Sequence, residues 1–343
     1  MRTVIFMQRQ IIVSSLRWNT VLNKMFLTLF NKSDYRNTVL AIFVWALPSL
    51  VFAQPNLVII DESIPHQATF YTSLKEHFAD LGETNFVALS ANKLTLQNIN
   101  KTNPSLIINL NKDSARPLLG LNPEQTIIHT LLTTADVNKV MSCKPRCLSE
   151  KINHHFLVIN QPVERQLALI KLVKPSAKDI GVIYSKESSG QFEALQNVAK
   201  KTPSLTINQF LTTAENVRFI LNDVAQSSDI ILALADSNIY NLTTLPQILL
   251  TSYRHRTPVL GFSKGFVKAG AISGVSSTLP QLAQHTAEII KAFNQRKKRL
   301  STLVAYPKYY TVTSNHRVAN SLNLHFENDA ELTTQLQSND VSR

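Results

Sequence analysis

Residues 229–262 read DIILALADSNIYNLTTLPQILLTSYRHRTPVLGF, and this stretch decides the fold class. It opens on an apolar run, Asp229–Leu234, followed by the strand-end acid Asp236, and closes on a second run, Pro258–Phe262. Apolar residues at consecutive positions mark parallel strands buried on both faces. Between the two runs, Leu245 to Tyr253 has the spacing of an amphipathic helix. Asn241 or Thr243 supplies its cap, and Tyr253-Arg254-His255-Arg256 gives it a basic end suited to the helix dipole. A strand, a helix and a strand in this order predict a βαβ unit.

The same alternation extends in both directions. Further apolar runs occupy Asn56–Ile60, Phe86–Leu89, Ser105–Leu110, Thr126–Leu131, Phe156–Ile159, Ile180–Tyr184 and Leu205–Phe210. Helix-period segments fall at Glu164–Val173, Gln191–Lys200, Glu215–Ala225 and Leu279–Phe293. Nine strands are too many for one comfortable sheet, and Pro162 opens a helix directly after the fifth. The reading is therefore an α/β chain with two doubly wound parallel-sheet lobes and a break near residue 160. Ligands of such sheets sit outside the carboxyl ends of the strands. The polar residues there are Asp61, Glu62 and Ser63; Asn109 and Asn111; Tyr184 and Ser185; Asp236, Ser237 and Asn238; and Ser263. They suit small-molecule contacts rather than a catalytic set, and some of them serve only to cap the next helix.

Composition narrows the function classes. The chain has 343 residues with only 8 Gly and 2 Cys. No glycines fall in a GxGxxG fingerprint or a phosphate-cradling loop, which excludes both nucleotide readings. Half of the glycine, Gly261, Gly265, Gly270 and Gly274, is concentrated in one short segment. Gly270 and Gly274 suit close backbone approach, at a crossing between lobes or against a ligand.

The formal net charge of +12 first suggests an anionic partner. Residues 38–52, TVLAIFVWALPSLVF, form an uncharged apolar run after Lys32 and Arg36 and before Val51-Phe52-Ala53. This reads as a secretory signal peptide with cleavage near Ala53, in a leader that starts at Met1 or Met25; an uncleaved anchor is the alternative. Without residues 1–53 the chain holds 29 basic and 22 acidic residues, a net of +7. Its longest basic cluster, Arg296-Lys297-Lys298-Arg299, lacks interleaved aromatics and reads as a solvated helix end, so no nucleic-acid partner is expected.

Two motifs carry rival chemistry. Gly261-Phe262-Ser263-Lys264-Gly265 has the GxSxG form of a nucleophile elbow and follows a strand. Gly265-Phe266-Val267, however, reads as renewed strand, running on through Val267–Gly274, and few acids and histidines follow in triad order. A serine hydrolase at Ser263 is the weaker alternative. Cys143 and Cys147 bracket Lys-Pro-Arg, which in an exported chain reads as a short disulfide; zinc shared with His154 and His155 is the alternative. There is no HExxH and no carboxylate cluster, so no resident metal is expected.

At Leu234-Ala-Asp236, Pro258-Val-Leu-Gly-Phe-Ser263 and Val267-Lys-Ala-Gly270-Ala, the chain resembles the periplasmic substrate-binding proteins of ABC transporters. The helix Gln281–Phe293, the segment Asn315-His-Arg-Val-Ala-Asn-Ser-Leu-Asn323, Gln161-Pro162 and Ile180-Gly-Val-Ile-Tyr184 continue the likeness. It covers about residues 54–326 and is similar to the branch related to tryptophan/tyrosine-type binding proteins, within the type I periplasmic-binding superfamily.

The resemblance implies two lobes joined by a hinge: 54–159 plus about 275–303, and 160–274 plus about 304–326, with 327–343 as a polar tail. It implies a monomeric, non-enzymatic protein without cofactor, located in the periplasm of a Gram-negative bacterium. Such a protein takes a small organic solute, with amino acids among the candidates, to an inner-membrane ABC permease. Carried over by position, the ligand contacts are Asp236, Ser237, Asn238, Ser185 and Ser263 facing Ser63, Asn109 and Thr130, with Asp236 meeting an ammonium. The chain departs from the family at Asn109-Leu-Asn111-Lys-Asp-Ser114-Ala115, where a Gly/Thr-rich turn is usual. A sensor or scaffold module with a vestigial site is the alternative from a different class.

Overall fold

Every one of the nine apolar runs is a strand, with ends within two residues of those read from the sequence. The computed structural model describes residues 54–79, 85–121, 123–142, 153–202, 204–296 and 304–341. The leader and its cleavage site, Cys143 and Cys147, and most of the Arg296–Arg299 cluster lie outside the described residues.

The first sheet contains β1 (Asn56–Ile60), β2 (Phe86–Ser90), β3 (Leu106–Asn109), β4 (Thr126–Leu132), β5 (His154–Val158) and the short β11 (Val304–Ala305). Its order is β11-β5-β4-β3-β1-β2, parallel throughout. The second sheet contains β6 (Asp179–Tyr184), β7 (Thr206–Leu211), β8 (Ile230–Leu232), β9 (Val259–Gly261), β10 (Ser273–Ser276) and β12 (Thr311–Ser314). Its order is β12-β10-β9-β8-β6-β7, and only β12 runs antiparallel. Both are doubly wound.

Apolar residues at adjacent strand positions serve opposite faces. In β1, Val58 and Ile60 pack toward helices α1 (Pro65–Ala79) and α10 (Leu279–Arg296), through Phe70, Leu74, Leu282 and Ile290. Leu57 and Ile59 pack on the other face with Ile99 of α2 (Leu96–Thr102) and Leu118 of α3 (Lys112–Leu121). All four strand residues are at most 1% exposed. Full burial of each such side chain contributes about 1.5–3 kcal/mol.

The helix α4 (Thr134–Met141) leads to β5, and α5 (Val163–Val173), α6 (Ser189–Ala199), α7 (Val217–Gln226) and α8 (Leu245–Arg254) wind the second lobe. The α8 helix starts one residue beyond Thr244, not at Asn241 or Thr243. The Asn241 carboxamide instead accepts from the Thr243 and Thr244 N–H groups in the turn before it.

Two segments differ from the sequence reading. Lys264–Ala269 is a short helix, α9, not a strand, because the Ser263 hydroxyl accepts the Phe266 N–H and starts a turn of helix. The following strand begins only at Ser273. Residues 327–343, expected as a polar tail, contain the helix α12 (Asp329–Val341), whose Leu332 and Leu336 are buried in the second lobe's core. A short α11 (His316–Ser321) precedes it.

The glycine cluster serves the second sheet. Gly274 lies opposite Gly261 across β10 and β9, and a Cβ on Gly274 would sit 2.5 Å from the Gly261 carbonyl oxygen. A Cβ on Gly261 would stand 2.8 Å from the Phe266 ring on α9. The close approach is therefore strand to strand and strand to helix, rather than at a crossing between lobes. Gly270 ends α9 with a φ of 138°, open only to glycine. The chain crosses between lobes after β5, after β10 and after β11.

Candidate functional site

In the second lobe, β8 aims Asp236 at the loop that follows β6. Asp236 is 1% exposed, and its carboxylate accepts hydrogen bonds from four groups of its own lobe. One oxygen takes the Ser185 N–H at 3.0 Å, the Ser185 hydroxyl at 2.7 Å and the Ser188 hydroxyl at 2.5 Å. The other takes the Asn238 N–H at 2.9 Å. A buried carboxylate is tolerated only when so well satisfied. In this arrangement Asp236 braces two strand-end loops, with both carboxylate oxygens engaged by groups of its own lobe. Ser185 is tied in the same way, since its hydroxyl also accepts the Glu187 N–H at 3.1 Å. Ser237 and Asn238 remain on the surface of the lobe. A cavity of about 740 Å³ opens beside them, lined by Ser185, Lys186, Thr212, Thr213, Asn216 and Asn238.

In the first lobe the corresponding strand end is also tied down. Asn109 is fully buried: its amide nitrogen donates to the Asn111 carbonyl at 2.9 Å and to His129 Nδ1 at 3.1 Å. Because the amide nitrogen can only donate, His129 Nδ1 accepts and its Nε2 carries the proton. That N–H meets His154 Nδ1 at 2.9 Å. Burial, reinforced by His154 and His155, holds the His129 pKa well below its ordinary value, and burial lowers that of His154 to about 4. Both rings are neutral polar struts between β3, β4 and β5. Among the described residues no group of three metal-ligating side chains forms around them.

Of the remaining first-lobe candidates, Ser63 is exposed and donates through its N–H and hydroxyl to Asp61 at 3.1 and 2.6 Å. Thr130 is fully buried, and its hydroxyl lacks a hydrogen-bond partner among the described residues. Leu131 follows it with a φ of 63°, where the β4–β5 register shifts. A left-handed leucine is a strained backbone position at the carboxyl end of a strand.

The three crossings are knotted together by side chains. Gln161 Nε2 donates to the Ser277 hydroxyl at 2.9 Å, and Ser277 donates to the Tyr309 carbonyl at 2.6 Å. Arg165 donates to Gln161 Oε1 at 2.6 Å and to the Pro307 carbonyl at 3.1 Å. Thus each crossing segment is linked to the other two. An interlobe cavity of about 340 Å³ adjoins them, lined by Asn160, Gln161, Tyr306, Thr134, Asn138 and Gln191 among others. All of these are neutral and able to hydrogen-bond.

Ser263 does stand between a strand and a helix, as an elbow requires, but it has an extended backbone with φ −155° and ψ 156°. Its hydroxyl oxygen accepts the Phe266 N–H, and no base accepts its proton among the described residues. The sequence reading missed Ser188, Glu187 and the His129–His154 pair. The Ser185-x-x-Ser188 spacing before a helix was the available signal for the first of these.

Residues 158–330, half of the chain, match the family described as ABC transporter substrate binding protein. A tyrosine-binding protein of Clostridioides difficile strain R20291 is 23% identical over 130 residues, which span 37% of this chain and 37% of that protein. Among solved structures, the L-Trp complex of an ABC domain from Streptococcus pneumonia has a TM-score of 0.54 at 18% identity, covering 80% of this chain and 96% of that one. The ligand-free, open structure of a substrate-binding protein with adhesive properties from Clostridium difficile has a TM-score of 0.62 at 17% identity, covering 79% and 95%. At these identities the structural likeness is one of fold: two α/β lobes of the type I periplasmic-binding kind. It is the family match, spanning the second lobe and its return crossings, that identifies the chain as a member of the ABC transporter substrate-binding proteins.

Proposed function

We propose that this protein is exported to the periplasm and binds a small organic solute between its lobes for delivery to an inner-membrane ABC permease. The observation that carries this reading is the placement of two parallel sheets on a three-segment hinge, with polar strand ends and an uncharged cavity beside it. Solute binding then works through the difference in affinity between two lobe arrangements.

An aromatic amino acid is the first solute class to test, because the relatives named above are described with tyrosine and tryptophan. Ser63, Thr130, Ser237, Asn238 and Ser263 are the proposed contacts, with Asn109, Ser185 and Asp236 holding the strand ends in place behind them. Thr130 has a specific reason for inclusion, since its buried hydroxyl lacks a partner and a solute would supply one.

Thermal unfolding of the purified protein with L-tyrosine, L-tryptophan and a panel of other small metabolites tests the reading. A solute at one hundred times its Kd stabilises by about 2.7 kcal/mol. Failure of every solute to raise the melting temperature would sink it. Amino-terminal sequencing of the protein from cell fractions tests export: a chain beginning near Gln54 supports it, and an intact leader in the cytoplasmic fraction overturns it.

A further inference from the structure

We infer that Lys139 and Glu187 form a latch between the lobes that opposes their opening about the crossings. Lys139 lies on α4 of the first lobe, and Glu187 lies in the β6–α6 loop of the second. Their side chains form an ion pair across the lobe boundary. The Glu187 side chain is only 13% exposed, against 67% for Lys139, so the carboxylate is presented from a buried socket to an exposed partner.

The socket is built by the Asp236 brace. Asn238 Nδ2 donates to the second Glu187 oxygen at 2.7 Å, while the Asn238 N–H is held by Asp236. The Glu187 N–H is held by the Ser185 hydroxyl, which itself donates to Asp236. The buried Asp236 carboxylate thus sets the geometry of a carboxylate that reaches the other lobe.

A second observation, free of charge, places the same two surfaces in contact. A Cβ built on Gly190 of α6 would stand 3.2 Å from Asn138 Nδ2 of α4. Gly190 has no positive φ, and its nearest neighbour outside its own helix is this Asn138 side chain, so α6 and α4 face each other here. Asn138 and Gly190 line the same cavity as the crossing residues Asn160, Gln161 and Tyr306. Contacts made across that cavity from the hinge must break when the lobes part there.

The geometry of the latch stands on its own, and its effect on affinity rests on the solute-binding reading above. Small-angle scattering of the solute-free protein tests the geometry, comparing wild type, Glu187→Lys, Lys139→Glu and the double reversal at low and high salt. Each single reversal should enlarge the radius of gyration, the double reversal should restore it, and salt should enlarge only the wild type and the double reversal. Gly190→Leu, which keeps every charge, should enlarge it as well and guards against misfolded charge variants. Unchanged scattering in the single reversals and in Gly190→Leu, or a double reversal as expanded as either single change, overturns the latch.

Titration with L-tyrosine and L-tryptophan then reads its consequence. An exposed ion pair of this type is expected to change affinity about twofold to fivefold, lost in Glu187→Gln and regained in the double reversal. If neither amino acid binds the wild type, the solute class fails while the scattering result still decides the latch.

Discussion

Arg165 and Asp340 lie 175 positions apart in the chain and meet through two N–H···O contacts of 2.9 and 2.7 Å to one carboxylate oxygen. The Tyr310 hydroxyl donates to that same oxygen at 2.8 Å, and the Arg165 guanidinium lies 3.7 Å above the Tyr310 ring. The last helix therefore grips the residue that ties the first crossing to the third. Asp340→Ala leaves a guanidinium that is 8% exposed without its counter-charge. The Asp340 side chain is 31% exposed, so the cost falls below that of a fully buried pair, at about 2 kcal/mol. Urea unfolding checks this. Arg165→Lys should fail to restore stability, because an ammonium cannot reach both partners as the planar fork does. No loss of stability in Asp340→Ala would refute the clamp.

Asp236→Asn separates bracing from solute contact. The substitution sets an amide that can donate toward three N–H and O–H donors on one oxygen, or toward the Asn238 N–H on the other. Whichever way the amide faces, hydrogen bonds are lost in a fully buried place, and the expected cost is about 2–3 kcal/mol without any solute. A residue that served only to meet a solute ammonium would give the opposite result, weaker binding with unchanged stability. Thermal melting of the solute-free variant distinguishes the two.

The fold was legible from residues 229–262 and their repeats because parallel strands buried on both faces carry apolar residues at consecutive positions, a signal that needs no knowledge of neighbours. Shorter elements escaped. Gly265-Phe266-Val267 is too brief for its periodicity to separate helix from strand, and the deciding signal was the cap, Ser263. The C-terminal helix was hidden by its polar composition, though Asn328 and Glu331 have the spacing of a capping pair and do bond at 2.9 Å. Leu332 and Leu336, four apart, were the only apolar residues needed to dock it. The site was less legible for a different reason. Asp236 was found as a strand-end acid, but its four donors come from two loops, and that convergence exists only in three dimensions. Lys139 and Glu187 are ordinary surface charges until both lobes are placed.

The buried histidines give the protein an acid limit whose sign follows from their neutral folded state. In the unfolded chain a histidine titrates near pH 6.5. Folded, His154 titrates at about 4 and the His129 pKa is likewise held well below its ordinary value, both because burial disfavours the imidazolium. As pH falls through 6.5 the unfolded chain gains protons that the folded one refuses, so stability declines from there to about pH 4 and is fully present above pH 6.5. For His154 alone the difference amounts to about 3 kcal/mol across that window. His285, whose pKa is lowered mainly by burial, adds loss of the same sign. Protonation also sets a second N–H on His129 against the Asn109 amide, which can only donate, so the strand end loosens as the charge arrives. Urea midpoints measured at several pH values between 7 and 4 should fall steadily, and His154→Leu should flatten the curve. An equal slope in that variant would show that the pair does not set the acid limit.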